Sequence, residues 1–129
     1  SLRWLELQNN QIEIIPGYIG SLNRLQNLIL FQNEITEIPP QIGNLSNLEV
    51  FKIDQNNLTG VHQNIGYLGK LESLWLSDNQ ITALPDNMCN ILSNSGIIIY
   101  IDNNLICPNE NNDCFNDLIT NSTQPDCGE

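Results

Sequence analysis

LQNLILFQNEITEIPPQIGNLSN, residues 25–47, places Leu25, Leu28 and Leu30 ahead of Asn33, Ile35 and Ile38. The same set returns 23 residues earlier and 23 and 46 residues later. Leu2, Leu25, Leu48 and Leu71 open the units. Leu5, Leu28, Phe51 and Leu74 follow, then Leu7, Leu30, Ile53 and Leu76, then Asn10, Asn33, Asn56 and Asn79. Ile12, Ile35, Leu58 and Ile81 come next, then Ile15, Ile38, Val61 and Leu84. A fifth unit opens out of phase at Gly96, with Ile99, Ile101, Asn104 and Ile106 in register. The fourth unit is therefore 25 residues long, and its extra residues fall at the turn-rich Ser93-Asn94-Ser95. An internal repeat takes precedence over every other signal in a sequence.

The alternation in Leu5-x-Leu7 is the two-residue period of a short strand with one buried face. Stacked units would pair these strands in parallel, about 4.8 Å apart. The Asn follows where the chain leaves the strand. A buried amide there needs partners, because an unpaired one costs roughly 1–3 kcal/mol. Asn10, Asn33, Asn56, Asn79 and Asn104 are therefore expected to form a structural ladder bonded to loop backbone. No unit can bury its apolar set alone, so stability comes from stacking.

The pattern L-x-x-L-x-L-x-x-N-x-I resembles that of the leucine-rich repeat family, from residue 2 to about 107. The second half, Ile15-Pro16-x-x-Ile19-Gly20-x-Leu22 and Ile38-Pro39-x-x-Ile42-Gly43-x-Leu45, is similar to its 23-residue variant. The third unit departs, with His62 for the Pro, and the fourth has Met88-Cys89 for Ile-Gly. The resemblance implies an α/β solenoid, curved and right-handed. It would have a parallel concave β-sheet, an irregular or short-helical convex side and a disulfide-bonded C-terminal cap. Units start near 2, 25, 48, 71 and 96, giving repeats over 1–106 and a cap over 107–129. Ser1-Leu2 already stands at the first position of a repeat, so a longer protein with repeats or a cap upstream is expected.

After Asn104 the repeat dissolves into Cys107-Pro108-Asn109-Glu110-Asn111-Asn112-Asp113-Cys114 and a polar tail. That tail, with Cys89-Asn90 one repeat earlier, is similar to those closing certain bacterial, often marine, extracellular leucine-rich repeat proteins. Four cysteines allow three pairings. Cys89 and Cys114 occupy equivalent positions of neighbouring units, which suggests Cys89–Cys114 with Cys107–Cys127. Cys107–Cys114 with Cys89–Cys127 is the alternative. The spacing does not match paired zinc knuckles, and no metal or cofactor is expected. Disulfides imply an oxidising compartment, so the protein is expected to be secreted or at a cell surface.

The chain has 129 residues, 4 basic against 15 acidic, for a net charge of −11. Phosphate backbones would repel it, which argues against nucleic-acid binding. No apolar run approaches the roughly 20 residues of a membrane-spanning helix. His62 is the single histidine and has no nucleophile or carboxylate at motif spacing. The oxygen-rich run 109–113 lacks calcium-loop spacing and reads as a solvated loop. Glu6, Glu49, Glu72 and Asp54 offer no acid/base pair. Asn44-Leu45-Ser46, Asn57-Leu58-Thr59 and Asn121-Ser122-Thr123 match the glycan acceptor triplet. With 21 Asn in the chain, such triplets also arise readily by chance.

The register names the concave face. Its third-position row is Trp4, Asn27, Val50, Ser73 and Ile98. The fifth is Glu6, Ile29, Lys52, Trp75 and Tyr100, and the seventh is Gln8, Phe31, Asp54, Ser77 and Asp102. The eighth is Asn9, Gln32, Gln55, Asp78 and Asn103. Trp75 and Tyr100 are row neighbours beside Val50 and Ile98. Ile29 and Phe31 form a second apolar spot near Trp4. Lys52 stands between the two spots, with Asp54 and Asp78 at the rim. Exposed apolar patches with polar rims mark interaction sites, and Trp and Tyr are favoured anchors. Trp4, Glu6, Ile29, Phe31, Val50, Lys52, Asp54, Trp75, Ile98 and Tyr100 are the expected ligand-binding set. Tyr18 and Tyr67 read as convex filler. The expected function is a non-catalytic module binding a protein or peptide, with carbohydrate also open. The alternative is an assembly unit of a surface layer, appendage or adhesin that self-associates through repeat stacking.

Overall fold

A computed structural model describes residues 1–94, 96–108, 113–124 and 127. Most of the run 109–113, expected to be a solvated loop, lies outside them. Five strands are present: β1 (Trp4–Glu6), β2 (Asn27–Ile29), β3 (Val50–Lys52), β4 (Ser73–Trp75) and β5 (Ile98–Tyr100). They form one parallel sheet in sequence order. Leu5, Leu28, Phe51, Leu74 and Ile99 are paired in register, so the repeat period and the ladder coincide.

Each turn returns through a 3₁₀ helix, at Gly17–Ser21, Pro40–Asn44, Gln63–Tyr67 and Asp86–Ser93. Pro16, Pro39 and Pro85 precede three of them in extended conformation. Proline suits that place because its fixed φ is compatible and its missing N–H is not needed there. Before Gln63–Tyr67, His62 stands in for Pro, and its Nδ1 accepts from the Asn64 backbone N–H at 3.0 Å. Each 3₁₀ turn buries one main anchor in the core, Ile19, Ile42 and Ile65, and the longest buries Met88 and Ile91. Tyr18 and Tyr67, expected as filler, are 78% and 67% exposed. A tight turn with a single inward anchor leaves no room beneath them.

Neighbouring 3₁₀ turns approach so closely that the repeat position of Gly20, Gly43 and Gly66 tolerates little. A Cβ on Gly66 would overlap the Asn87 carbonyl. Gly66→Ala is expected to cost about 2 kcal/mol through overpacking. Urea denaturation of parent and variant checks it, and equal midpoints would contradict the close packing.

The Asn column forms the ladder. The Asn56 amide donates to Leu30 O at 3.0 Å in the preceding unit and to Ile53 O at 3.1 Å in its own. Its Oδ1 accepts from the Ile35 N–H at 2.9 Å. Asn33, Asn79 and Asn104 repeat the arrangement. Asn10 is exposed, and its side-chain amide donates to Leu7 O and Gln8 O of its own unit. Around it the β1 end of the core leaves Leu2, Leu7 and Ile14 exposed.

The expected polar tail holds a helix, α1 (Asp113–Thr120). Phe115 and Ile119 are buried and Leu118 packs partly against the core. Cys89 is joined to Cys114 and Cys107 to Cys127, with Cα–Cα distances of 5.8 and 5.7 Å. This is the pairing suggested by register. Beyond α1 the tail imitates a further repeat. Thr123 O accepts from Asn103 N, as Asp102 O accepts from Asp78 N. Gln124 donates to Ile101 O and accepts from the Ile106 N–H, the two bonds that a ladder Asn makes with the preceding unit.

Candidate functional site

The sheet pairing sets the predicted rows side by side: Trp4, Asn27, Val50, Ser73, Ile98, and then Glu6, Ile29, Lys52, Trp75, Tyr100. Trp4 and Ile98 are mostly exposed. Glu6 is exposed, while Val50, Lys52, Trp75, Tyr100, Phe31 and Asp54 are half-buried. Ile29 departs from expectation. It is 7% exposed, on β2 between its row partners Glu6 of β1 and Lys52 of β3. The second apolar spot is therefore reduced to Trp4 and Phe31.

The eighth-position residues do not lie flat on the sheet. Asn9, Gln32, Gln55, Asp78 and Asn103 all have φ between 56° and 60°. This left-handed step turns the chain inward toward the ladder Asn. Asn and Asp enter that region at modest cost, which is the sequence signal for it. Gln32 and Gln55 carry no such signal.

The β3–β4–β5 side of the face is organised around Trp75. Its ring meets that of Tyr100 at 4.1 Å between centroids, tilted by 35°. Lys52 Nζ lies over Trp75, 4.5 Å from the ring centroid, within cation–π range. Three shielded side-chain polar atoms lack a hydrogen-bond partner within the protein among the described residues: Gln8 Oε1, Asp54 Oδ1 and Trp75 Nε1. All three belong to the fifth and seventh rows.

The Asp54 carboxylate is half-buried on this face. Burial raises its pKa; its own backbone and Lys52 oppose the rise, and Asp78 adds to it. Burial of a single carboxylate, not an acid/base pair, is the cause. The folded state then holds the Asp54 proton to higher pH than the unfolded chain. The stability this contributes is complete below the unfolded value of 3.8 and is lost as pH rises through the folded pKa. Asp54→Asn is accordingly expected to melt above the parent at pH 7, with the gap closing near pH 3. Thermal melts followed by circular dichroism at both values decide it. A variant less stable at pH 7 would contradict the shielding.

Residues 1–94 match the family described as leucine-rich repeat region. The chain is a leucine-rich repeat protein. Among solved structures it is similar to a leucine-rich repeat protein of Leptospira interrogans, at 33% identity and a TM-score of 0.82. That match covers 97% of this chain and 31% of the other. It is similar to the plant peptide hormone receptor RGFR1 in complex with RGF2, at 38% identity and a TM-score of 0.71, covering 81% and 17%. It is also similar to the leucine-rich repeat ectodomain of the plant membrane receptor kinase GASSHO1/SCHENGEN3 from Arabidopsis thaliana in complex with CASPARIAN STRIP INTEGRITY FACTOR 2. There the identity is 31% and the TM-score 0.65, covering 78% and 12%. This leucine-rich repeat chain thus spans less than a third of the length of each. No curated protein matches it.

In this leucine-rich repeat protein His62 serves the backbone as a cap. Among the described residues no group of three His, Cys, Asp or Glu could hold a metal ion. No helix there is long and apolar enough to cross a membrane. Asn44, Asn57 and Asn121 of the acceptor triplets are all exposed. The partnerless polar atoms were not readable from sequence, since register gives the face of a residue and not the state of its hydrogen bonds.

Proposed function

We propose that this chain is a non-catalytic recognition module that binds a protein or peptide on its concave face. Residues 1–106 serve as the recognition solenoid and 107–129 as its cap. The carrying observation is that Gln8 Oε1, Asp54 Oδ1 and Trp75 Nε1, the shielded polar atoms without partners among the described residues, all sit on concave rows. Native proteins pair such atoms nearly everywhere, so a face that collects them is suited to receiving its missing partners from a ligand. The Trp75–Tyr100 pair supplies the apolar anchor. The receptors RGFR1 and GASSHO1/SCHENGEN3, each solved in complex with a partner, support a peptide or protein ligand. Two disulfides and the ectodomain likeness support an oxidising, extracellular setting.

The test is capture from native extracellular fluid with the parent chain beside a Phe31→Ala, Trp75→Ala, Tyr100→Ala variant. Circular dichroism confirms that the variant folds. A partner held by the parent and lost by the variant is expected. A partner held equally by both, or recovery of the chain's own copies alone, would move the function to the convex face or to self-assembly.

A further inference from the structure

We infer that the peptide ligand carries a basic side chain that displaces Lys52 from the face of Trp75 and pairs with Asp54. This rests on the concave-face reading above and assigns the chemistry of its anchor. Several independent features meet at the junction of β3 and β4. The face of Trp75 already holds a cation, the Lys52 ammonium 4.5 Å from its centroid, and the ring is backed by Tyr100 at 4.1 Å. The site has thus been built to hold positive charge over an aromatic pair.

Lys52 and Asp54 stand two residues apart on the same side of the strand. Asp54 Oδ1 nevertheless has no hydrogen-bond partner, and its burial penalises the charged form. The resident cation is over the ring; it favours the Asp54 charge through space but leaves Oδ1 without a hydrogen bond. A ligand cation arriving over Trp75 frees Lys52 to solvent, where an ammonium is well hydrated. It can then make the pairing that Lys52 does not make.

The surroundings favour a basic partner over an acidic one. Asp78 bears electrostatically on Asp54. Asp78 and Asp102 are held in place through Oδ1, by the Asn103 side chain at 2.9 Å and the Thr123 N–H at 2.6 Å. With a net charge of −11, the chain attracts basic peptides and repels acidic ones. The Trp75 N–H also lacks an acceptor, which a backbone carbonyl next to the basic residue can provide. Arginine fits better than lysine, because a planar guanidinium both stacks on an aromatic ring and pairs with a carboxylate through two N–H groups.

The test is selection of a random-peptide display library on the full chain, followed by affinity measurements on Asp54→Asn and Lys52→Met. Selected peptides should be enriched in Arg and Lys. One such peptide should bind Asp54→Asn about tenfold more weakly than the parent, and Lys52→Met more tightly, since the competing ammonium is gone. Both variants keep side-chain volume, and circular dichroism verifies their folding. Peptides that lack basic enrichment, or that bind parent and Asp54→Asn equally, overturn the inference. If those peptides still fail on the Phe31→Ala, Trp75→Ala, Tyr100→Ala variant, the concave-face reading survives without it. If no peptide is selected, or selected peptides bind that variant unchanged, both fall.

Discussion

Asn56→Ala is expected to destabilise the protein by about 3 kcal/mol, while Asn10→Ala costs less than about 1 kcal/mol. The two residues occupy the same repeat position and undergo the same chemical change. Asn56 is 6% exposed, and its removal leaves the Ile35 N–H without its acceptor and Leu30 O and Ile53 O each short of a donor. None of these groups can turn to water. Asn10 is exposed, its side-chain amide bonds carbonyls of its own unit, and those freed carbonyls can be hydrated. Urea denaturation of both variants against the parent measures the difference. Equal losses at the two positions would mean that the amide contributes through local turn geometry and not through the bonds between units.

Phe51→Ala is expected to cost about 4 kcal/mol, whereas Phe51→Leu should cost about 1 kcal/mol. Phe51 is fully buried and pairs in register with Leu28 on one side and Leu74 on the other. Its column is otherwise aliphatic, so a leucine restores what neighbouring units use, and the core can close most of the remaining gap. Alanine leaves a cavity in the middle of the stack, where rigid strands on both sides limit collapse. Unfolding free energies of the two variants check this. A Leu variant as unstable as the Ala variant would show that the aromatic ring is specifically required in that layer.

Most of the scaffold was legible in the residues. Leu28, Phe51 and Leu74 announced both their burial and their partners, because the strand period and the repeat period together fix which side chains face inward and which residues stack. Asn33, Asn56 and Asn79 announced a ladder because a recurring buried amide must find backbone partners. The concave rows followed from the same register. Ile29 was misread because a row assignment says that a side chain leaves the core, not that its neighbours leave it uncovered. Tyr18 and Tyr67 were misread because the tightness of the 3₁₀ turns was not apparent. The cap was only partly read. The four cysteines marked it, but α1 and the ladder-like bonds of Gln124 follow no repeat period that could have revealed them.

The sequence by itself determined the solenoid, the strand register, the Asn ladder and the membership of the concave rows. Each depends on contacts between adjacent units related by a fixed number of residues, and such nearest-neighbour order is written in the period. Only the tertiary structure decided how the open face and the C-terminal end are completed. There, Lys52 chooses the Trp75 ring over Asp54, Ile29 is covered, and Gln124 takes the place of an Asn one unit further on. These outcomes turn on side-chain rotamers and on an aperiodic tail. Several partners compete within a few ångströms, and no spacing in the chain ranks them.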